Sequence, residues 1–315
     1  MTWSATEVSV LARAVSRAPS VHNSQPWTVE VRPDGADLFE RTEARLPRHD
    51  PAGRDQMISC GAALADLELA VRTLGWDPRV TLFPDAARPD LVARVVADGR
   101  REATEDEVAR YSAIFRRRSY RAPFSLHPVT DAVLRDLVRA NDTPGTELRA
   151  VDTRLESPVL AELFGQAGQV LRDDRAYQRE LQAWSDQFRH PLPAEPTLPW
   201  GGLVRATTHL PDTITLTERL AAERLLIVLT PGDTRTDHLL AGRALQLVWL
   251  TAVTRGLAGS VLTQPLRLPE VRAGLTERLL LPGHPQLVLR LGYPVTATPV
   301  SRPAPALSER SGGDH

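Results

Sequence analysis

Two short segments carry the residue types that could do chemistry. The first is Ala18-Pro-Ser-Val-His-Asn-Ser-Gln-Pro-Trp27. Pro19 and Pro26 stiffen it, and Ser20 and Asn23 offer hydrogen-bonding groups from a rigid turn. Such a corner suits a flat ligand with a polar edge; the alternative is a turn whose side chains satisfy only their own backbone. The second segment is Arg116-Arg-Arg-Ser-Tyr-Arg-Ala-Pro-Phe124. Several guanidinium groups and a hydroxyl, stopped by Pro123, can grip a phosphate through bidentate, charge-assisted hydrogen bonds. The same cations could instead complement the dipole of the helix they end. A nucleic-acid patch is disfavoured, because the net charge is −1 and only Tyr120 is interleaved with the cations.

Composition narrows the chemistry further. The 315 residues are 42% hydrophobic and 24% charged, the proportions of a globular protein of one large or two ordinary domains. All 38 basic residues are Arg. The absence of Lys excludes Schiff-base chemistry, pyridoxal phosphate included, and the P-loop lysine. Cys60 is the only cysteine, so internal disulfides and thiolate metal clusters are excluded and no metal site is expected. There is no GxSxG, HExxH or CxxC pattern, which suits a chain in which no side chain need act as nucleophile. No apolar run reaches the ~18 residues that span a bilayer, and the N-terminus lacks a basic-then-apolar leader. The expected setting is the cytoplasm, away from membrane and nucleic acid.

The elements that must position these segments can be read from periodicity. Apolar residues at Val8, Leu11, Ala12 and Val15 predict a helix over 5–17 before the corner, and Trp27-Thr-Val-Glu-Val31 alternates as a strand. Further helices are expected at 55–74, 104–117, 130–140, 157–184 and 236–255. Strands are expected at 27–31, 36–40, 79–83, 92–97, 146–151, 224–229, 259–263 and 286–292. Thr104-Glu-Asp-Glu107 opens the helix that carries the arginines, with its acids at the favourable end.

A repeat lies beneath this pattern. Residues 61–84 and 242–265 align without gaps, matching Gly61 with Gly242, Ala63 with Ala244, Leu64 with Leu245, Leu69 with Leu250, Thr73 with Thr254, Gly75 with Gly256, Val80 with Val261 and Pro84 with Pro265. Each copy reads as a long apolar helix ended by Gly, then a short strand stopped by Pro. A weaker echo at an offset of 122 links Arg13, Arg17 and Ala18 to Arg135, Arg139 and Ala140. The offsets differ by 59 (181 − 122), which implies an insertion at about 155–215 in the second half. The expected fold is α+β, with two related αβ halves, residues 1–100 and 101–315, forming a pseudo-dimer in one chain. The proline-rich part of the insertion, around Trp200, is either a lid over the ligand or a surface excursion.

The words APSxxNxQPW and RRRSxRxPF resemble two signatures of the nitroreductase superfamily of FMN enzymes. The resemblance implies a nitroreductase-like fold in which Pro19, Ser20, Val21 and Asn23 hold the flavin ring. It implies that Arg117, Ser119 and Arg121, with Arg118 nearby, bind the FMN phosphate, and that Arg302, in Ser301-Arg302-Pro303, closes that site. Val300 stands where families often have another cation. By the same resemblance the backbone of Val261, Leu262, Thr263 and Gln264 passes over the flavin ring, although the family more commonly has an acidic residue and Gly where this chain has Thr263 and Gln264. Half one keeps the corner and half two the arginines, as in the single-chain, internally duplicated (Acg-type) branch, which implies one flavin site per chain and a monomer. The implied activity is that of an NAD(P)H oxidoreductase: a nicotinamide donor passes electrons through flavin N5 to a quinone, nitro or enone acceptor by ping-pong kinetics. His22 beside the corner either donates a proton or is held by local hydrogen bonds. The alternative reading is a non-catalytic protein that stores FMN beneath a lid.

Overall fold

A reciprocal capping box between Ser4 and Glu7 starts α1 (Ala5–Val15). Alternation then takes over, and β1 (Trp27–Arg32) pairs with β2 (Gly35–Glu40), Trp27 opposite Glu40. α2 (Arg54–Thr73) follows, buried along nearly its whole length, then β3 (Trp76–Leu82), β4 (Leu91–Arg100) and α3 (Glu105–Arg116), the last opened by a Thr104–Glu107 capping box. The remaining elements are α4 (Asp131–Arg139), β5 (Glu147–Ala150), α5 (Thr153–Asp173), α6 (Arg175–Gln187), α7 (Thr213–Ala221), β6 (Arg224–Thr230), α8 (Arg235–Thr254), β7 (Ala258–Leu262), α9 (Pro269–Arg278) and β8 (His284–Gly292). The computed structural model describes residues 2–187, 197–200 and 203–295.

Two antiparallel four-stranded sheets result, ordered β1-β2-β4-β3 and β5-β6-β8-β7. The second order is the first repeated one half later. The molecule is therefore α+β, with two αβ halves of like topology in one chain.

The halves meet through α2 and α8, and the paired glycines explain how closely. A Cβ on Gly61 would lie 1.9 Å from the Leu239 carbonyl oxygen, and one on Gly242 would lie 1.9 Å from that of Ile58. Each helix backbone therefore rests on the glycine of the other, and both glycines are fixed by that approach. Around them Leu64, Leu67, Leu245, Val248 and Trp249 form one core with the inner faces of both sheets.

The second sheet is buried on both faces. Leu226 and Val228 of β6 point into the shared core, while Leu225, Ile227 and Leu229 point into a second core with Leu160, Phe164 and Leu171 of α5, Leu216 and Leu220 of α7 and Leu275 of α9. That is why β6 reads as an unbroken apolar run.

All eight expected strands are present. The helix expected over 157–184 is two helices, because Asp174 takes an extended backbone and its Oδ1 accepts from the Ala176 and Tyr177 N–H groups, starting a new helix. Two helices were not expected. α7 is rich in Thr and begins at an Asp212 N-cap; α9 begins on Pro269 at a position where proline favours a helix start.

Candidate functional site

The corner after α1 is held in an unusual conformation. A 3₁₀ turn spans Val21–Asn23, and His22, Asn23 and Gln25 have φ of 54°, 57° and 45°. Left-handed backbone at non-glycine residues costs roughly 1–3 kcal/mol each and persists only where the surroundings over-determine it. Here Ser20 Oγ accepts from the Gln25 N–H at 3.1 Å, and Gln25 Nε2 donates to the Ser16 carbonyl at 3.0 Å. The Pro26 carbonyl accepts from Cys60 Sγ at 3.3 Å, pinning the corner to α2.

The arginines divide by role. Arg117 has no exposed surface; its Nη2 donates to the Arg17 carbonyl at 3.0 Å and its guanidinium lies 4.5 Å from the Trp249 ring centroid. It thus joins the ends of α1 and α3 to α8. Arg118 Nη1 donates to the carbonyls of Phe115 and Arg117, closing its own helix end. Ser119 bridges to Gly259, and the Tyr120 N–H donates to the Gly259 carbonyl at 2.8 Å, which lays the segment beside β7. Arg121 is exposed and makes no hydrogen bond or ion pair among the described residues. The protein crowded around it, and then Arg205, lower its pKa. An anion would relieve both.

These segments wall one cleft with about 730 Å³ of empty space, continuous with solvent. Pro19, Ser20, Val21 and His22 form one side, and Ser119, Arg121, Ser260, Val261, Thr263 and Gln264 form the other. The floor is Ile58, Ser59 and Ala62 of α2 with Leu245 and Trp249 of α8, and Leu203 reaches in from the segment before α7. Of the residues expected in a site, eight line this cleft. Asn23, Arg117 and Arg118 do not. Nor does Leu262, which the alternation of β7 turns into the second core. Arg302 and Val300 lie outside the described residues.

The floor was missed by sequence reasoning. Its residues fall on one face of each repeat helix, as Ser59–Ala62 and Leu245–Trp249 do at spacings of three and four, but an all-round apolar helix gives no signal for which face is open. Asp55 was missed too. Burial would raise its carboxyl, but Arg54, 2.8 Å away, and His49 hold it well below the usual carboxylate range. Arg54 Nη2 also donates to the Thr263 carbonyl at 3.1 Å, fixing the end of β7.

Gln264 is tied to the segment before α7 and to α6. Its Oε1 accepts from the Val204 N–H at 2.7 Å and its Nε2 donates to the Tyr177 hydroxyl. The Glu180 carboxylate of α6 accepts from the Arg48 and His49 N–H groups, the latter at 2.6 Å. Gln264 thus anchors Val204 and α6 beside the end of β7.

No family model matches the chain. Curated relatives do. A Mycobacterium tuberculosis H37Rv protein with the provisional name NAD(P)H nitroreductase Rv3131 is 32% identical over 307 residues, 93% of this chain and 86% of its own. Acg of the same strain, also provisionally named an NAD(P)H nitroreductase, is 30% identical over 311 residues, 93% and 90% of the two chains. Among solved structures, the Bacteroides fragilis nitroreductase with bound FMN covers 65% of this chain and 98% of its own at 17% identity and a TM-score of 0.43. The chain belongs to the nitroreductase family. Within it, the mycobacterial relatives match along nearly the whole length.

Proposed function

We propose that the protein is an FMN-dependent oxidoreductase that takes electrons from a nicotinamide donor and gives them to a small quinone, nitro or enone acceptor. The observation that carries this reading is that Ser20 of one half and Ser119 and Arg121 of the other line a single cleft. The cleft is open to solvent, and Arg121 is a cation on its wall with no hydrogen bond or ion pair among the described residues. Bound FMN supplies the electron transfer itself.

The chain's own residues bind and orient. Arg121 and the Ser119 hydroxyl would hold the phosphate, with Arg117 and Arg118 as the frame that presents them. Pro19, Ser20 and Val21 would flank the ring on one side and the backbone of Val261 and Thr263 on the other. Ile58, Ala62, Leu245 and Trp249 exclude water from the floor. We divide the chain into nitroreductase-like halves at 1–100 and 101–315, working as a monomer in the cytoplasm, with the insertion at about 155–215 as partial cover. No described helix is long and apolar enough to cross a membrane.

A second reading has its own support. Leu203 stands on the cleft wall and Gln264 ties the insertion down beside it, as a protein that stores FMN under a lid would require. Anaerobic mixing with NADH or NADPH separates the two: rapid loss of the yellow colour supports the oxidoreductase. Colour lost only with dithionite supports storage.

A further inference from the structure

We propose that His22 is the acid that protonates the acceptor, and that the buried His49–Asp55 pair positions it. This deepens the oxidoreductase reading and rests on it. His22 lines the cleft from a left-handed backbone position in the corner. Three titratable side chains lie on the described cleft wall: His22, Asp55 and Arg121. Arg121 keeps its proton at any working pH, and Asp55 is held ionised by Arg54 and His49. Histidine alone among them changes charge between pH 5 and 8.

Behind it the arrangement continues inward. The His22 and His49 rings meet edge to face, centroids 5.3 Å apart. His49 is 2% exposed, stacks on Tyr177 at 5.9 Å, and places Nε2 3.4 Å from Asp55 Oδ2. Asp55 and Ser59 line both the cleft and a narrow side chamber that also holds Asp50. Burial, and then repulsion from Asp55, raise Asp50 to about 6, so the chamber holds a group that exchanges protons near neutrality. Arg54, Arg121, Arg205 and Arg267 are the nearby cations and Glu180 a further acid, and burial pushes the Tyr177 hydroxyl up so that it stays neutral.

The step balances without another reagent. The acceptor gains a hydride that originates from the nicotinamide donor, and the resulting oxyanion takes the proton. The imidazolium N–H bond breaks, an O–H bond forms, and His22 is left neutral until solvent in the open cleft reprotonates it.

Stopped-flow measurement on FMN-loaded full-length protein tests this, with NADPH as donor and menadione as acceptor. In H22A the NADPH phase keeps its wild-type rate and the menadione phase slows about 100-fold. Added imidazole restores part of it, and the wild type alone shows a solvent deuterium isotope effect. An H22A protein with the wild-type menadione rate, pH profile and isotope effect overturns the proposal; so does a loss spread equally over both phases without imidazole rescue. No bleaching of the wild type by either nicotinamide would instead remove the oxidoreductase reading beneath it. Should H22A fail to fold, D55N serves: NMR titration of the His22 ring, with or without FMN, is expected to show a lower midpoint than wild type. An unchanged midpoint overturns the role given to the pair.

Discussion

Arg121 projects into the cleft with no hydrogen bond or ion pair among the described residues, while Arg118, three positions earlier, is spent on two carbonyls of its own helix end. If a phosphate is the missing partner, the two substitutions separate. R121A removes a charged hydrogen bond worth about 1.5–3 kcal/mol and weakens FMN binding on the order of 10- to 100-fold, read by quenching of flavin fluorescence. R118A leaves the affinity within about twofold, since Arg118 donates only to carbonyls of its own helix end. The resemblance assigns Arg117 and Arg121 alike to the phosphate, with Arg118 nearby. Residue type and spacing identify a cluster that can hold an anion, but which member faces the cleft depends on Trp249 capturing Arg117 and on Gly259 drawing in Tyr120. Those are partners more than 100 positions away, and no local pattern announces them.

Elements were more legible where one periodicity ruled. All eight strands and the two repeat helices could be read, because alternation and glycine punctuation recur in both halves. The breaks inside the insertion could not: Asp174 acts as a cap only because the Ala176 and Tyr177 N–H groups turn toward it. The repeat glycines carry the firmest expectation at this scale. G242A drives a methyl into the Ile58 carbonyl at 1.9 Å, against backbone that cannot rotate aside. It should lose about 3 kcal/mol or more, the upper end of overpacking costs, as a lower urea midpoint. Q264A removes the insertion's ties to Val204 and Tyr177. Limited proteolysis should then cut near Val204 faster than in the wild type, with the rest of the fold intact; equal rates would show that the Gln264 ties do not hold the segment.

Across the whole molecule, one buried acid sets a pH response. Burial raises the Asp66 carboxyl to about 8, against the opposing pull of Gln246 and Arg117. Gln246 Nε2 donates to Asp66 Oδ1 at 2.8 Å, while Asp66 Oδ2 and Gln246 Oε1 have no hydrogen bond among the described residues. A proton on Oδ2 would pair those two atoms as acid and amide. The folded chain then holds a proton that the unfolded chain, with an ordinary carboxyl near 3.8, has released. This contribution is full below about pH 4 and is lost as pH rises toward about 8. Asparagine can make the same pair at any pH. D66N should therefore match the wild type at low pH and melt above it at pH 8, and calorimetry from pH 5 to 8 checks the sign.

The central claim is one mononucleotide site, walled by the corner of the first half and the arginine segment of the second. The visible spectrum of the chain after reconstitution with FMN and removal of the excess tests it most directly. The expected result is flavin bands at one FMN per chain, falling well below that in R121A. A colourless protein, or two FMN per chain, would contradict the claim.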